Sequence, residues 1–203
     1  MPTTTANTMS TTITSAPFTP HPSLAPYTVT PTQYLSANPH LTNLVVGALI
    51  LHNNNRVLLI QRAPRDGFGL KWECPGGCVD MSDESILHAL SREVREETGL
   101  LVSHVAGVVD ELEFDGGGGS RWRKITFLVE VSRSGLEGDN GEGVSPVVRL
   151  SAEEHVGAVW AAEGDVLAGR VEEREIEFAY DAQRETILEV FRQGRERGGE
   201  VGM

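Results

Sequence analysis

The sequence predicts an α/β fold in which a sheet is covered by helices on both faces. Three observations point to it. Short β-branched, apolar runs recur along the chain, among them Asn43–Leu51 (NLVVGALIL) and Trp122–Val131 (WRKITFLVEV). A single amphipathic helix, Ile86–Thr98, interrupts these strands, and a second helical pattern starting at Asp181 closes the folded part.

Taken in order, the chain opens without charge. Of 203 residues, the first 55 include no Asp, Glu, Lys or Arg, and seven of the ten prolines precede residue 40. Such a Thr/Pro-rich stretch has no apolar periodicity, so residues 1–40 are expected to be a disordered tail, although Tyr27–Leu41 is less biased and could lie along a domain surface. It lacks the basic start and continuous apolar run of a secretory signal and the arginines of a mitochondrial presequence, so a cytoplasmic or nuclear setting is expected.

The domain is expected over 41–195, with 196–203 a flexible end. Asn43–Leu51 reads as a buried strand, His52–Asn55 as a turn and Arg56–Arg62 (RVLLIQR) as its hairpin partner. A loop over Pro64–Leu70 and a short strand over Lys71–Pro75 deliver the chain to Gly76-Gly77. Leu101–Val105 and Val108–Phe114 are the next two strands, and the four glycines Gly116–Gly119 read as a flexible connection to Trp122–Val131. A mobile loop is expected over Ser132–Ser145, then short strands over Val147–Leu150 and Val156–Trp160. Asp181 is the N-cap expected for the last helix and Gly194 its C-cap.

Composition bounds the function. Net charge is −12 at neutral pH, so there is no surplus of Lys and Arg to release counterions from bulk nucleic acid or an anionic membrane. A small phosphorylated substrate remains compatible, because a divalent ion can bridge two sets of negative charge. No apolar run is long enough to span a bilayer. Cys74 and Cys78 form a lone pair with no second pair to complete four zinc ligands, and read as reduced thiols.

The central helix carries the chemistry. At about 100° per residue, Ile86, Leu87, Leu90 and Val94 share one arc, and Glu97 falls inside it, with Glu93 at its edge and Glu96 further round. A carboxylate on the buried side of a helix needs an ion pair, a shifted pKa or a metal. Glu93, Glu96 and Glu97 stand at i, i+3 and i+4, so they converge on one patch. Three converging acids and no soft ligand suit Mg2+, with Mn2+ as the alternative ion. A solvated, charge-rich face is the plainer reading of paired glutamates, but the inward placement and the preceding Pro75-Gly76-Gly77 turn argue for a site.

These residues resemble the Nudix box. Arg92, Glu93, Val94, Glu96, Glu97, Gly99 and Leu100 stand at that family's spacing, seven residues separate Glu84 from Arg92, and Trp72-Glu73-Cys74-Pro75-Gly76-Gly77 leads into it. The departure is one extra residue between Gly77 and Glu84. The resemblance implies an α/β/α sandwich with a mixed sheet and a Mg2+-dependent hydrolase cleaving a diphosphate bond in a nucleotide sugar, dinucleotide or nucleotide. It further implies Glu93, Glu96 and Glu97 as catalytic, metal-binding residues, Gly76 or Gly77 as a backbone ligand, and an ion pair of Glu84 with Arg92 that orients the carboxylates. Arg62, Trp72 and Phe114 are the substrate-binding candidates. Related folds often pair, which leaves both a monomer and a homodimer open; a silent domain that binds a nucleotide or protein is the alternative function, motivated by the insertion.

Overall fold

The computed structural model describes residues 18–52, 56–132 and 146–199. The chain enters through strand β1 (Thr19–Pro20), a 3-10 helix (Pro22–Tyr27) and helix α1 (Pro31–Ala37). Strands β2 (Asn43–His52), β3 (Arg56–Arg62) and β4 (Trp72–Glu73) lead to α2 (Ile86–Thr98). A long hairpin follows, β5 (Val102–Gly117) and β6 (Ser120–Val131), then β7 (His155–Ala162) and α3 (Glu163–Ala168). The small hairpin β8 (Arg170–Val171) and β9 (Arg174–Glu175) precedes α4 (Asp181–Gly199).

The main sheet is mixed and runs β1-β5-β6-β2-β3-β4, with β7 also on β3. β2 pairs in parallel with β6 over eight positions but antiparallel with β3 over only two, Leu51↔Val57 and His52↔Arg56. β7 pairs with β3 along its whole length, and beyond the two pairs shared with β2 strand β3 takes β4, while β2 takes the glycine turn instead: Val46 N–H donates to Gly77 O and Ala48 N–H to Pro75 O. That divergence opens a cleft beside the turn.

Both faces of the sheet are covered, as expected. Along β2 and β3, Leu44, Val46, Ala48, Ile50, Leu58 and Ile60 face one core with Ile86, Leu87, Leu90 and Val94 of α2. The alternate residues Leu49, Val57 and Leu59 face a second core with Val166 of α3 and Ile187, Val190 and Phe191 of α4. A strand buried on both sides cannot alternate apolar with polar, which is why Asn43–Leu51 reads as one continuous apolar run.

Four expectations need correction. Residues 18–40 are not a disordered tail: Leu24 is 1% and Tyr34 7% exposed, both in the first core. Apolar residues are too sparse there for a period, yet Leu24, Tyr34 and Leu41 suffice to anchor the segment. Partners from the hairpin complete the anchoring, Tyr27 donating to Glu111 and Arg123 donating to Tyr34 Oη at 2.8 Å. Thr30 and Gln33 form a capping box that starts α1. Residues 1–17, the rest of the expected tail, lie outside the described residues, as do 133–145 of the expected mobile loop.

The remaining corrections are local. The two strands expected over 101–114 are one bent strand, β5, carrying four irregularities in its register with β6. Its glycines make a tight turn, Gly117↔Ser120 closing over Gly118 and Gly119 at φ 62° and 82°, as primed hairpin turns require. Residues 147–150 form no strand, and Arg149 N–H instead caps α2 by donating to Thr98 O at 2.8 Å. α4 passes through Gly194 to Gly199, since tertiary packing outweighs the propensity cost of one glycine. Among the described residues no helix is long and apolar enough to cross a membrane.

Leu24→Ala is expected to destabilise the protein by about 2–4 kcal/mol, because it empties a closed pocket under the sheet. Denaturant unfolding would check this, and a loss below ~0.5 kcal/mol would mean the 18–40 segment is not part of the cooperative fold.

Candidate functional site

Helix α2 is held at both ends. Ser85 caps its start by accepting from His88 N–H, and Gly99 ends it at φ 71° with its N–H on Arg95 O. Ile86, Leu87, Leu90 and Val94 are at most 1% exposed, and the same buried side carries Glu97 at 6%. Glu97 Oε2 accepts from Gly76 N–H at 2.7 Å. The two glycines permit that approach: a Cβ on Gly76 would strike the Val46 carbonyl, and one on Gly77 would sit 2.6 Å from the Glu93 carboxylate. Gly77→Ala is therefore expected to displace Glu93 and lower turnover by about 10-fold or more, since small misplacements at a reacting centre are costly; unchanged steady-state kinetics would contradict this packing.

Arg92 organises the rest. Its Nε and Nη2 grip the two Asp83 carboxylate oxygens at 3.0 and 2.9 Å. Nη1 donates to Glu93 at 2.8 Å and Glu96 at 3.1 Å, and Nη2 also donates to Cys78 O at 3.1 Å. The expected Glu84–Arg92 pair is absent. Glu84 is largely solvent-exposed and lies 3.5 Å from His88. Asp83 takes its place for a steric reason: it is one residue nearer the glycine turn, so its shorter side chain meets the guanidinium from inside the loop. Gly77 and Asp83 are separated by five residues, which absorbs the insertion.

One guanidinium thus serves Asp83, Glu93 and Glu96, while Glu97 has no Arg or Lys partner among the described residues. Glu93 and Glu97 line a cavity of about 500 Å³, and Glu96 stands half-exposed outside it. At the same end are Glu73, Glu154 and His155. Glu73 is buried against Arg62, which also pairs with Asp66 and donates to Gly67 O. Glu154 and His155 stand at the start of β7, where its pairing with β3 brings them against α2. One donor atom each from Glu97, Glu154 and His155 lie within 4.8 Å of one another.

The rest of the cavity lining is aromatic and polar. Phe114 and Trp122 form a wall, ring centroids 6.1 Å apart, with Lys124, Asp110 and Gln183 nearby. Trp72, a substrate-binding candidate from the sequence, is 1% exposed in the second core and does not line the cavity. Its large ring fills the space under β4, leaving no face for a ligand. Arg62 and Phe114 do line it.

Burial sets the electrostatics. Desolvation, with repulsion from Glu73, Glu93 and Glu154, pushes Glu97 up to about 9 against the partial offset of the Gly76 hydrogen bond. Desolvation likewise raises Glu93, opposed by Arg92. A raised carboxyl favours the fold while it is protonated. The contribution is complete below the unfolded value of 4.5 and lost as pH rises through about 9. Melting temperature of chelator-treated protein is therefore expected to fall across that window, and a saturating divalent ion to flatten the decline; a rising profile would contradict it. The donor set itself, converging carboxylates with too few cations, fits a divalent ion.

Comparison with known proteins agrees with this arrangement. A family model described as NUDIX domain matches residues 41–168. An 8-oxo-dGDP phosphatase of Danio rerio is 36% identical over 93 residues, 46% of this chain and 26% of that protein. An RNA pyrophosphohydrolase of Xanthomonas campestris is 40% identical over 60 residues, 30% of this chain and 27% of that protein. The chain thus spans about a quarter of the length of these curated relatives. Among solved structures, a MutT protein from Methanosarcina mazei Go1 superposes with a TM-score of 0.53 at 25% identity, covering 75% of this chain and 94% of that one. A C. elegans Ap4A hydrolase gives 0.52 at 17% identity over 75% and 99%, a likeness of fold alone. With more than half its length matched by the family model and the carboxylate helix seated on the glycine turn, this chain belongs to the Nudix family.

Proposed function

We propose that this chain is a divalent-metal-dependent pyrophosphohydrolase cleaving a diphosphate bond in a nucleotide-derived substrate: a nucleotide sugar, a dinucleotide or a nucleotide. The observation that carries the reading is Glu97, a buried carboxylate that has no Lys or Arg partner among the described residues and faces a cavity shared with Glu93 and Glu154. Glu93, Glu97 and Glu154 would hold the ion, with Glu96 beside them at the rim and the Gly76 carbonyl as the backbone candidate, since Gly77 O is already engaged by Val46. A bound Mg2+ or Mn2+ supplies charge neutralisation and a more nucleophilic water.

The chain's own residues do the rest. The phosphate groups lie at the acidic end, and Phe114 and Trp122 give the nucleoside an apolar wall. Lys124, whose ammonium lies 5.0 Å from the Tyr180 ring centre and against no carboxylate among the described residues, is the cation for a phosphate oxygen. Arg62 has its nitrogens committed to Glu73, Asp66 and Gly67, so its role is to fix the cavity wall. In the reaction, water oxygen bonds to phosphorus, the bridging P–O bond breaks, and the water proton passes to Glu93 or Glu154. The box insertion, the feature that favours a silent binding module, is absorbed by Asp83, which takes the contact with Arg92.

The experiment is a panel of nucleotide sugars, dinucleotides and nucleoside di- and triphosphates with Mg2+ or Mn2+ and with chelator. Metal-dependent release of a monophosphate or pyrophosphate product is expected. Absence of turnover on every compound would overturn the proposal.

A further inference from the structure

The imidazole of His155 is 3% exposed, and neither ring nitrogen has a hydrogen-bond partner among the described residues. A buried imidazole without partners is costly. Glu73, 3.5 Å from Nε2, already has Arg62 as its counter-ion. Its other neighbour is Glu97 Oε1 at 3.7 Å, the oxygen left over once Oε2 has accepted from Gly76. Glu154 completes the group, each residue placing one donor atom within 4.8 Å of the others. Glu97 lies on α2, whereas Glu154 and His155 lie on β7 and the turn before it, so two elements aim at one point.

We propose that His155 is a nitrogen ligand, completing with Glu97 and Glu154 a mixed oxygen–nitrogen cation position that selects a first-row transition ion over Mg2+. The reason is chemical. Mg2+ takes oxygen donors and retains its waters, whereas imidazole suits the transition ions, whose affinity for mixed sites rises from Mn2+ to Co2+ and beyond. The neutral imidazole also adds no negative charge to a pocket that already concentrates carboxylates. This proposal rests on the reading of the cavity as a divalent-ion site.

The test uses the full chain and Mn2+ alone. Pulsed electron paramagnetic resonance of the Mn2+-loaded wild-type protein is expected to show nitrogen coupling that changes when histidine is supplied labelled with 15N. Titration is expected to give Mn2+ an affinity at least about 10-fold above that for Mg2+. His155→Gln, with folding checked by circular dichroism, should remove the coupling and erase most of that preference. Mn2+ bound with Glu97-dependent affinity but no nitrogen coupling would overturn the ligand assignment while leaving the divalent-ion site standing. No Mn2+ binding at millimolar concentration would overturn both. The wild-type spectrum alone decides the matter should His155→Gln fail to fold.

Discussion

Glu97→Gln is expected to lower turnover by roughly 10³-fold while leaving stability at neutral pH within about 1 kcal/mol of wild type. The two parts have different causes. A divalent ion contributes several kcal/mol of charge stabilisation in phosphate chemistry, and at about 1.4 kcal/mol per decade a weakened ion costs orders of magnitude in rate. The fold loses little, because the glutamine carbonyl can still accept from Gly76 N–H. A group pushed up to about 9 is mostly protonated at neutral pH, so the neutral amide resembles what it replaces. Steady-state kinetics with denaturant unfolding on the same preparations check both halves. Wild-type turnover in Glu97→Gln would refute the site; a large stability loss would mean Glu97 is an ordinary core residue.

Arg92→Met is the second large effect, expected to destabilise the protein by about 3 kcal/mol. It removes a forked, charge-assisted contact to Asp83 and the only cation that pairs with Glu93 and Glu96 among the described residues. Asp83 and Glu93 are mostly buried, so their charges would be left uncompensated. The structure also separates neighbours in sequence. Asp83→Asn should cost about 1–2 kcal/mol, whereas Glu84→Gln, at an exposed position, should stay within ~0.5 kcal/mol. Equal losses in the two variants would restore Glu84 as the partner of Arg92.

Most of what the sequence made legible lies where a period or a fixed spacing exists. The inward arc of Glu97 on α2, the doubly buried strand over Asn43–Leu51 and the terminal helix all follow from residue placement alone. What stayed hidden depends on distant pairing. His155 and Glu154 reach Glu97 only because β7 pairs with β3, a contact that no local pattern encodes. Asp83 had a visible signal, its five-residue spacing from Gly77, but Glu84 satisfied the spacing to Arg92 and masked it. Trp72 reads as a substrate-binding candidate yet is buried, because exposure is set by packing and not by residue type. The 18–40 segment is hard to read for a similar reason: Leu24 and Tyr34, buried among many prolines and threonines, leave no period to read.

The central claim is that Glu97, with Glu93 and Glu154, holds a divalent cation. Calorimetric titration of Mg2+ into metal-free wild type and Glu97→Gln, at pH 7 in two buffers of different ionisation heat, tests it most directly. The account predicts that wild type binds with release of a proton, displaced from Glu97, and that Glu97→Gln binds at least about 10-fold more weakly with no such release. Equal affinity in the two proteins, with no buffer dependence in either, would contradict it.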